Sequence, residues 1–85
     1  MSEINWGFLR SLTARELVSA LARDGFFLSR QAGSHQLYRH DDGRRVTVSF
    51  HQPGQTFRPK TLRSMIEEQA RWTSADLIRL GLLKK

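Results

Sequence analysis

The chain has 85 residues, 39% hydrophobic and 26% charged, which suits one small globular domain and leaves no room for a second core. It contains no cysteine, so disulfides, thiolate metal sites and cysteine nucleophiles are excluded, and no apolar run approaches the length of a membrane span. With a formal charge of +6 and no leader-like apolar stretch after Met1, the expectation is a cytoplasmic protein with an acidic partner.

Residues 1–11 (MSEINWGFLRS) show no periodicity, yet Ile4, Trp6, Phe8 and Leu9 are large apolar side chains that pack on the core or on a partner. They read as an N-terminal tail, with the domain proper over residues 12–85. Thr13 and Glu16 are spaced as a capping box, and Leu12 with Leu17 as its hydrophobic staple. A helix is predicted from Ala14 to Asp24 along the face of Leu17, Val18 and Leu21, ended by Gly25. Phe26 to Arg30 reads as a short strand. His35–His40 and Arg44–His51 alternate on either side of Asp41-Asp42-Gly43, a hairpin signature. A two-residue loop at Asp42-Gly43 sets Leu37 opposite Val48 and His35 opposite Phe50. Moving that loop one residue earlier keeps the same faces. His35 and Leu37 are therefore expected on the valine face, toward the helices, with Tyr38 outside and free to stack on a base.

Gln52 to Lys60 (QPGQTFRPK) reads as a loop punctuated by two prolines and a glycine. Leu62, Met65, Ile66 and Gln69 then predict a second helix running to about Arg71. Thr73 and Asp76 start a short third helix through Leu77, Ile78 and Leu80, closed by Gly81. The expected fold is α+β, a three-stranded antiparallel sheet packed on helices in the order α-β-β-β-α with a short terminal helix.

Eleven of the 14 cations are arginine. The stretch from Arg30 to Arg63 holds seven cations, two carboxylates and all three histidines. Arginine binds phosphate in a planar, bidentate way, so this basic stretch is a nucleic-acid footprint, with Arg30, Arg45, Lys60 and Arg63 the candidate phosphate contacts. RNA carries its own nucleophile, the 2′-OH, and its cleavage needs a proton acceptor, a proton donor and cations around the phosphorus. Histidine can serve either proton role near neutral pH. Gly33 allows close backbone approach to a phosphate, and Ser34 can donate to it. From the residues alone, His35 reads either as such a group or as a core-margin histidine bonded to a carbonyl. His51 reads as a second acid–base group, a phosphate binder or a surface residue, and His40 as solvated. Histidine spacings of five and eleven fit no zinc pattern, and neither a metal nor a cofactor is expected. Asp41-Asp42-Gly43 is turn chemistry, Glu67-Glu68 a solvated helix face, and Phe26, Phe27, Leu37 and Phe50 are assigned to the core.

The capped helix, Asp24-Gly25-Phe26, Arg30-Gln31-Ala32-Gly33-Ser34-His35, Val46-Thr47-Val48-Ser49-Phe50-His51 and Thr61-Leu62-Arg63-Ser64-Met65-Ile66 together resemble the HicA family of mRNA interferase toxins. The resemblance covers roughly residues 12–80. It implies a fold like the double-stranded RNA-binding domain, metal-independent cleavage of mRNA and a HicB-type antitoxin as partner. It also implies that His35 stands at the catalytic position and Gly33 at the family's glycine. The chain departs from the family's pattern with Ser49 after the third-strand valine in place of proline, Lys60 before the Thr-Leu helix start in place of glycine, and Ala70-Arg71 in place of Ala-Gly. A non-catalytic RNA-binding module of the same fold, in which Gly33-Ser34-His35 only grips the backbone, is the competing expectation. A subunit that binds an acidic protein is a third.

Overall fold

A computed structural model describes residues 4–84. A short helix α1 (Trp6–Leu9) opens the chain, capped by Asn5, whose side chain accepts from the Phe8 amide at 3.1 Å. Leu9 is only 1% exposed, so this segment packs on the core. Helix α2 (Ala14–Arg23) starts at Thr13 with a complete capping box: Thr13 Oγ1 accepts from the Glu16 amide, and Glu16 Oε1 accepts from the Thr13 amide. Its first-turn amides find further partners across the fold. Ala14 and Arg15 donate to the carbonyls of Gln55 and Pro53, which ties the later loop to this helix end.

Strands β1 (Phe27–Ala32), β2 (His35–Arg39) and β3 (Arg45–Ser49) form an antiparallel sheet in the order β1-β2-β3. The β2–β3 connection departs from the two-residue expectation. His40 donates to the Arg44 carbonyl and Gly43 to the His40 carbonyl, so the loop is Asp41-Asp42-Gly43, three residues long, with Gly43 at φ +99°. An odd loop moves the register by one residue and exchanges the faces. His35 lies opposite Ser49, Leu37 opposite Thr47 and Arg39 opposite Arg45, while Gln36 and Tyr38 lie opposite Val48 and Val46. His35 and Leu37 therefore stand on the outer face, away from the helices, and the sequence expectation is reversed. Tyr38 is the residue that turns inward, 7% exposed, its hydroxyl donating to Gln36 Oε1 at 2.6 Å. It is not a stacking platform, and burial pushes its phenol up from its usual value.

The sheet's inner face meets the helices through Val46 and Val48, both fully buried, with Phe50 half-buried against the same core. A bulge at Ser29 shifts β1 between Leu28 and Arg30, and Phe27 faces Arg39 on the outside, half exposed. Phe27 is thus not a core residue, whereas Phe26, just before the strand, is.

After the loop, helix α3 (Pro59–Arg63) runs directly into a π-helical segment, Ser64–Gln69. Leu62, Met65 and Ile66 are buried as their spacing predicts. Gln69 instead turns to β3, where its Oε1 accepts from the Thr47 amide at 2.8 Å and its Nε2 donates to Ser64 Oγ. This side chain satisfies an edge amide of β3 that no further strand would pair. The segment ends at Gln69 with Ala70 as its cap, slightly short of Arg71. Arg71 takes a left-handed backbone, φ +57°, and the Trp72 amide reaches back to the Ile66 carbonyl. Helix α4 (Ser74–Arg79) begins with a second complete capping box, Thr73 with Asp76.

One polar cluster joins the layers. The Asp24 carboxylate accepts from Trp72 Nε1 at 2.8 Å and Arg79 at 2.9 Å, and Arg44 lies 3.1 Å away. Arg44 also donates to the Ala70 carbonyl and lies over the Phe26 ring at 4.8 Å. His40 belongs to this cluster and is not simply solvated. Its Nε2 donates to the Asp24 carbonyl, its Nδ1 accepts from the Asp42 amide, and its ring stands edge-on to Phe26. A carbonyl can only accept, so Nε2 carries a proton, and Nδ1 lies 3.1 Å from both the amide and the carboxylate of Asp42.

Candidate functional site

The outer face of the sheet is built from rows of side chains, one residue from each strand. Ala32, His35 and Ser49 form one row; Arg30, Leu37 and Thr47 the next; Phe27, Arg39 and Arg45 the third. The Phe50 amide bonds the Ser34 carbonyl and the His40 amide the Arg44 carbonyl. By alternation, His35 and Ser49 are a non-hydrogen-bonded pair, the type whose side chains approach more closely.

Ser49 in turn connects to His51, its hydroxyl 3.2 Å from His51 Nε2. The position of His51 is set by Gln55. The Gln55 side chain accepts from the amides of His51 and Gln52 and donates to the Ser49 carbonyl, while its own carbonyl accepts from Ala14 at the start of α2. The loop that carries His51 is therefore anchored to a helix end as well as to the strand it leaves. The structure thus brings His35, Ser49 and His51 to one end of the outer face. His35 and His51 are both exposed, and the His35 ring makes no hydrogen bond with the described residues.

Gly33 and Ser34 form the β1–β2 turn immediately before His35, and Gly33 takes φ +59°, a conformation that favours glycine. A Cβ there would meet nothing within 4 Å, so the requirement is conformational and the space above the turn is open. Arg30 stands one row from His35 and Arg45 two rows away. With a rise of roughly 3.4 Å per residue, Arg45 lies about 14 Å along the sheet from the histidine row. Arg39, absent from the sequence-derived candidates, shares that far row. The alternation of β2 was the signal for it, once the loop length is known.

Lys60 and Arg63 are positioned differently. Both belong to α3, and no hydrogen bond or ion pair among the described residues joins them to the sheet face. Arg63 lies over the Trp6 ring, its guanidinium carbon 4.8 Å from the ring centroid. Arg44 is drawn inward by Asp24, so it contributes little to the outer field. No helix of the described residues is long and apolar enough to cross a membrane.

An antiparallel three-stranded sheet backed by helices on one face, with a basic, histidine-bearing opposite face, defines a small α+β domain of the order α-β-β-β-α. The model of the HicA toxin family of bacterial toxin–antitoxin systems matches residues 14–72, and the chain belongs to that family. It is therefore the toxin of a toxin–antitoxin pair, and family membership gives it a nuclease role. Comparison with curated proteins yields no match.

Proposed function

We propose that this toxin is a metal-independent endoribonuclease that cuts mRNA at the outer face of the sheet, and that a HicB-type antitoxin silences it by covering that face. The observation that carries the reading is the exposed His35 on a basic face, paired with Ser49, whose hydroxyl reaches His51. In the reaction the 2′-OH loses its proton and attacks the adjacent phosphorus. The P–O5′ bond breaks, leaving a 2′,3′-cyclic phosphate, and the departing 5′-oxygen takes a proton. His35 carries the proton transfer as general acid–base, and His51 is the second group within reach of the same end of the sheet. The nucleophile resides in the substrate, so the protein has only to move protons and balance charge. Gly33 and Ser34 receive the backbone phosphate, and Arg30 and Arg45 extend the cationic track, with Lys60 and Arg63 serving RNA flanking the cut.

The test compares wild type with His35→Ala on a long unstructured RNA with EDTA present, alongside thermal melts. Loss of the proton-transfer group is expected to lower the rate by about 10²–10⁴-fold. The melting temperature should hardly move, because the ring is exposed and unbonded. Wild-type protein that binds RNA without cutting it would replace the enzyme by a binding module. Cleavage that survives the substitution would move the chemistry to His51.

A further inference from the structure

A cavity of about 530 Å³ lies between α1 and α3, lined by Trp6, Arg10, Thr56, Phe57, Leu62 and Arg63. We propose that this groove is a second RNA site that holds one nucleotide of single-stranded RNA away from the cleavage face. The inference rests on the ribonuclease reading above and adds where the flanking strand runs.

Three observations favour a nucleotide. The volume falls in the range of pockets that enclose a small ligand, about 300–1,000 Å³. The lining combines two aromatic rings with two arginines and contains no acidic residue, and neither arginine is in an ion pair among the described residues. Arg63 places its guanidinium over Trp6, 4.8 Å from the ring centroid, so indole and guanidinium offer adjacent surfaces of the kind on which unpaired bases stack, while Arg10 supplies the charge for the phosphate. A groove for an apolar helix would need more aliphatic lining than Leu62 and Pro59 supply. Trp6 and Arg10 lie outside the family match at residues 14–72, so the groove depends on an N-terminal segment that the match does not cover. Chain-specific RNA preference is the function such a segment would add.

The experiment uses the full chain and an uncleavable single-stranded oligonucleotide of DNA. Trp72 is buried, so a change in tryptophan fluorescence on binding reports Trp6. Binding should quench that signal, and Trp6→Ala should weaken affinity about tenfold or more. Arg10→Glu, at an exposed position whose side chain makes no hydrogen bond or ion pair among the described residues, should weaken affinity and flatten its salt dependence by roughly 0.7 log units per decade. Unchanged fluorescence together with unchanged affinity in Arg10→Glu overturns the groove while leaving cleavage at His35 intact. Variants that bind the oligonucleotide normally but lose the antitoxin would assign the groove to the protein partner, and also overturn it. Quenching by the oligonucleotide in a wild-type protein that never cleaves RNA would keep the groove and remove the enzyme.

Discussion

Asp24 shows how a single carboxylate sets the stability of so small a domain. Burial pushes its carboxyl up, but hydrogen bonds from Trp72 and Arg79 and the charge of Arg44 outweigh this and hold it below its usual 3.8. A carboxylate depressed in this way binds fewer protons folded than unfolded. Its contribution is therefore complete above its unfolded value and is lost as pH falls through the folded one. Melting temperature should drop steeply below about pH 4 in wild type, and this acid limb should shrink in Asp24→Asn. At neutral pH that substitution is expected to cost about 1–3 kcal/mol, measured by urea unfolding, because Arg44 and Arg79 each lose one of two carboxylate partners, keeping Asp42 and Asp76 respectively. Two backbone positions make opposite predictions. A Cβ at Gly25, φ +99°, would stand 2.9 Å from His40 Nε2, so Gly25→Ala should be destabilising by more than about 1 kcal/mol. At Arg71, φ +57°, the family's usual glycine should be neutral to stabilising by up to about 1 kcal/mol. A drop in stability there would mean that the Arg71 side chain has a role its exposure does not show.

At the scale of elements, the parts readable in advance were those decided within a few residues. Both capping boxes, Thr13 with Glu16 and Thr73 with Asp76, form as spaced, since a cap needs only its own helix turn. The hairpin itself was legible from Asp-Asp-Gly, but its faces were not. They depend on whether the turn holds two residues or three, a choice made by the backbone at Gly43 and not by any alternation in the strands. The π-helical segment was hidden for a similar reason: Gln69 fits the helical spacing, yet its side chain is captured by Thr47, distant in sequence. Helix α1 lay below the resolution of periodicity, being four residues long. Its attachment is testable. Leu9→Ala should cost about 2–4 kcal/mol, read as a fall of roughly 10–20 °C in melting temperature. A change under 2 °C would show that α1 is only loosely docked.

For the whole molecule, the charge that composition announced is unevenly employed. Arg44 and Arg79 are spent on Asp24 and its neighbours, while Arg30, Arg39 and Arg45 line one face of the sheet. The histidine at position 35 could be singled out from sequence by the residues around it. That it would point to solvent, beside Ser49 and His51, could not, because that placement is a property of three strands together. If the face binds RNA, affinity should fall with salt by about 0.7 log units per decade for each phosphate held. Neutralising Arg30, Arg39 and Arg45 together should lower that slope by about 2 log units per decade, and an unchanged slope would locate the contacts elsewhere.

The three-residue turn has a genetic corollary. Loop parity decides whether the outer face of β2 matches that of β3, so losing any one of codons 41–43 would break the match that keeps His35 outside while Val46 and Val48 are inside, without altering a single residue of the proposed site. Substitutions in the same turn, by contrast, leave the parity untouched. Cells selected for survival of this toxin without its antitoxin should therefore yield single-codon deletions at the hairpin tip alongside changes at His35. Selection at that tip would act on the count of residues more strongly than on their kind.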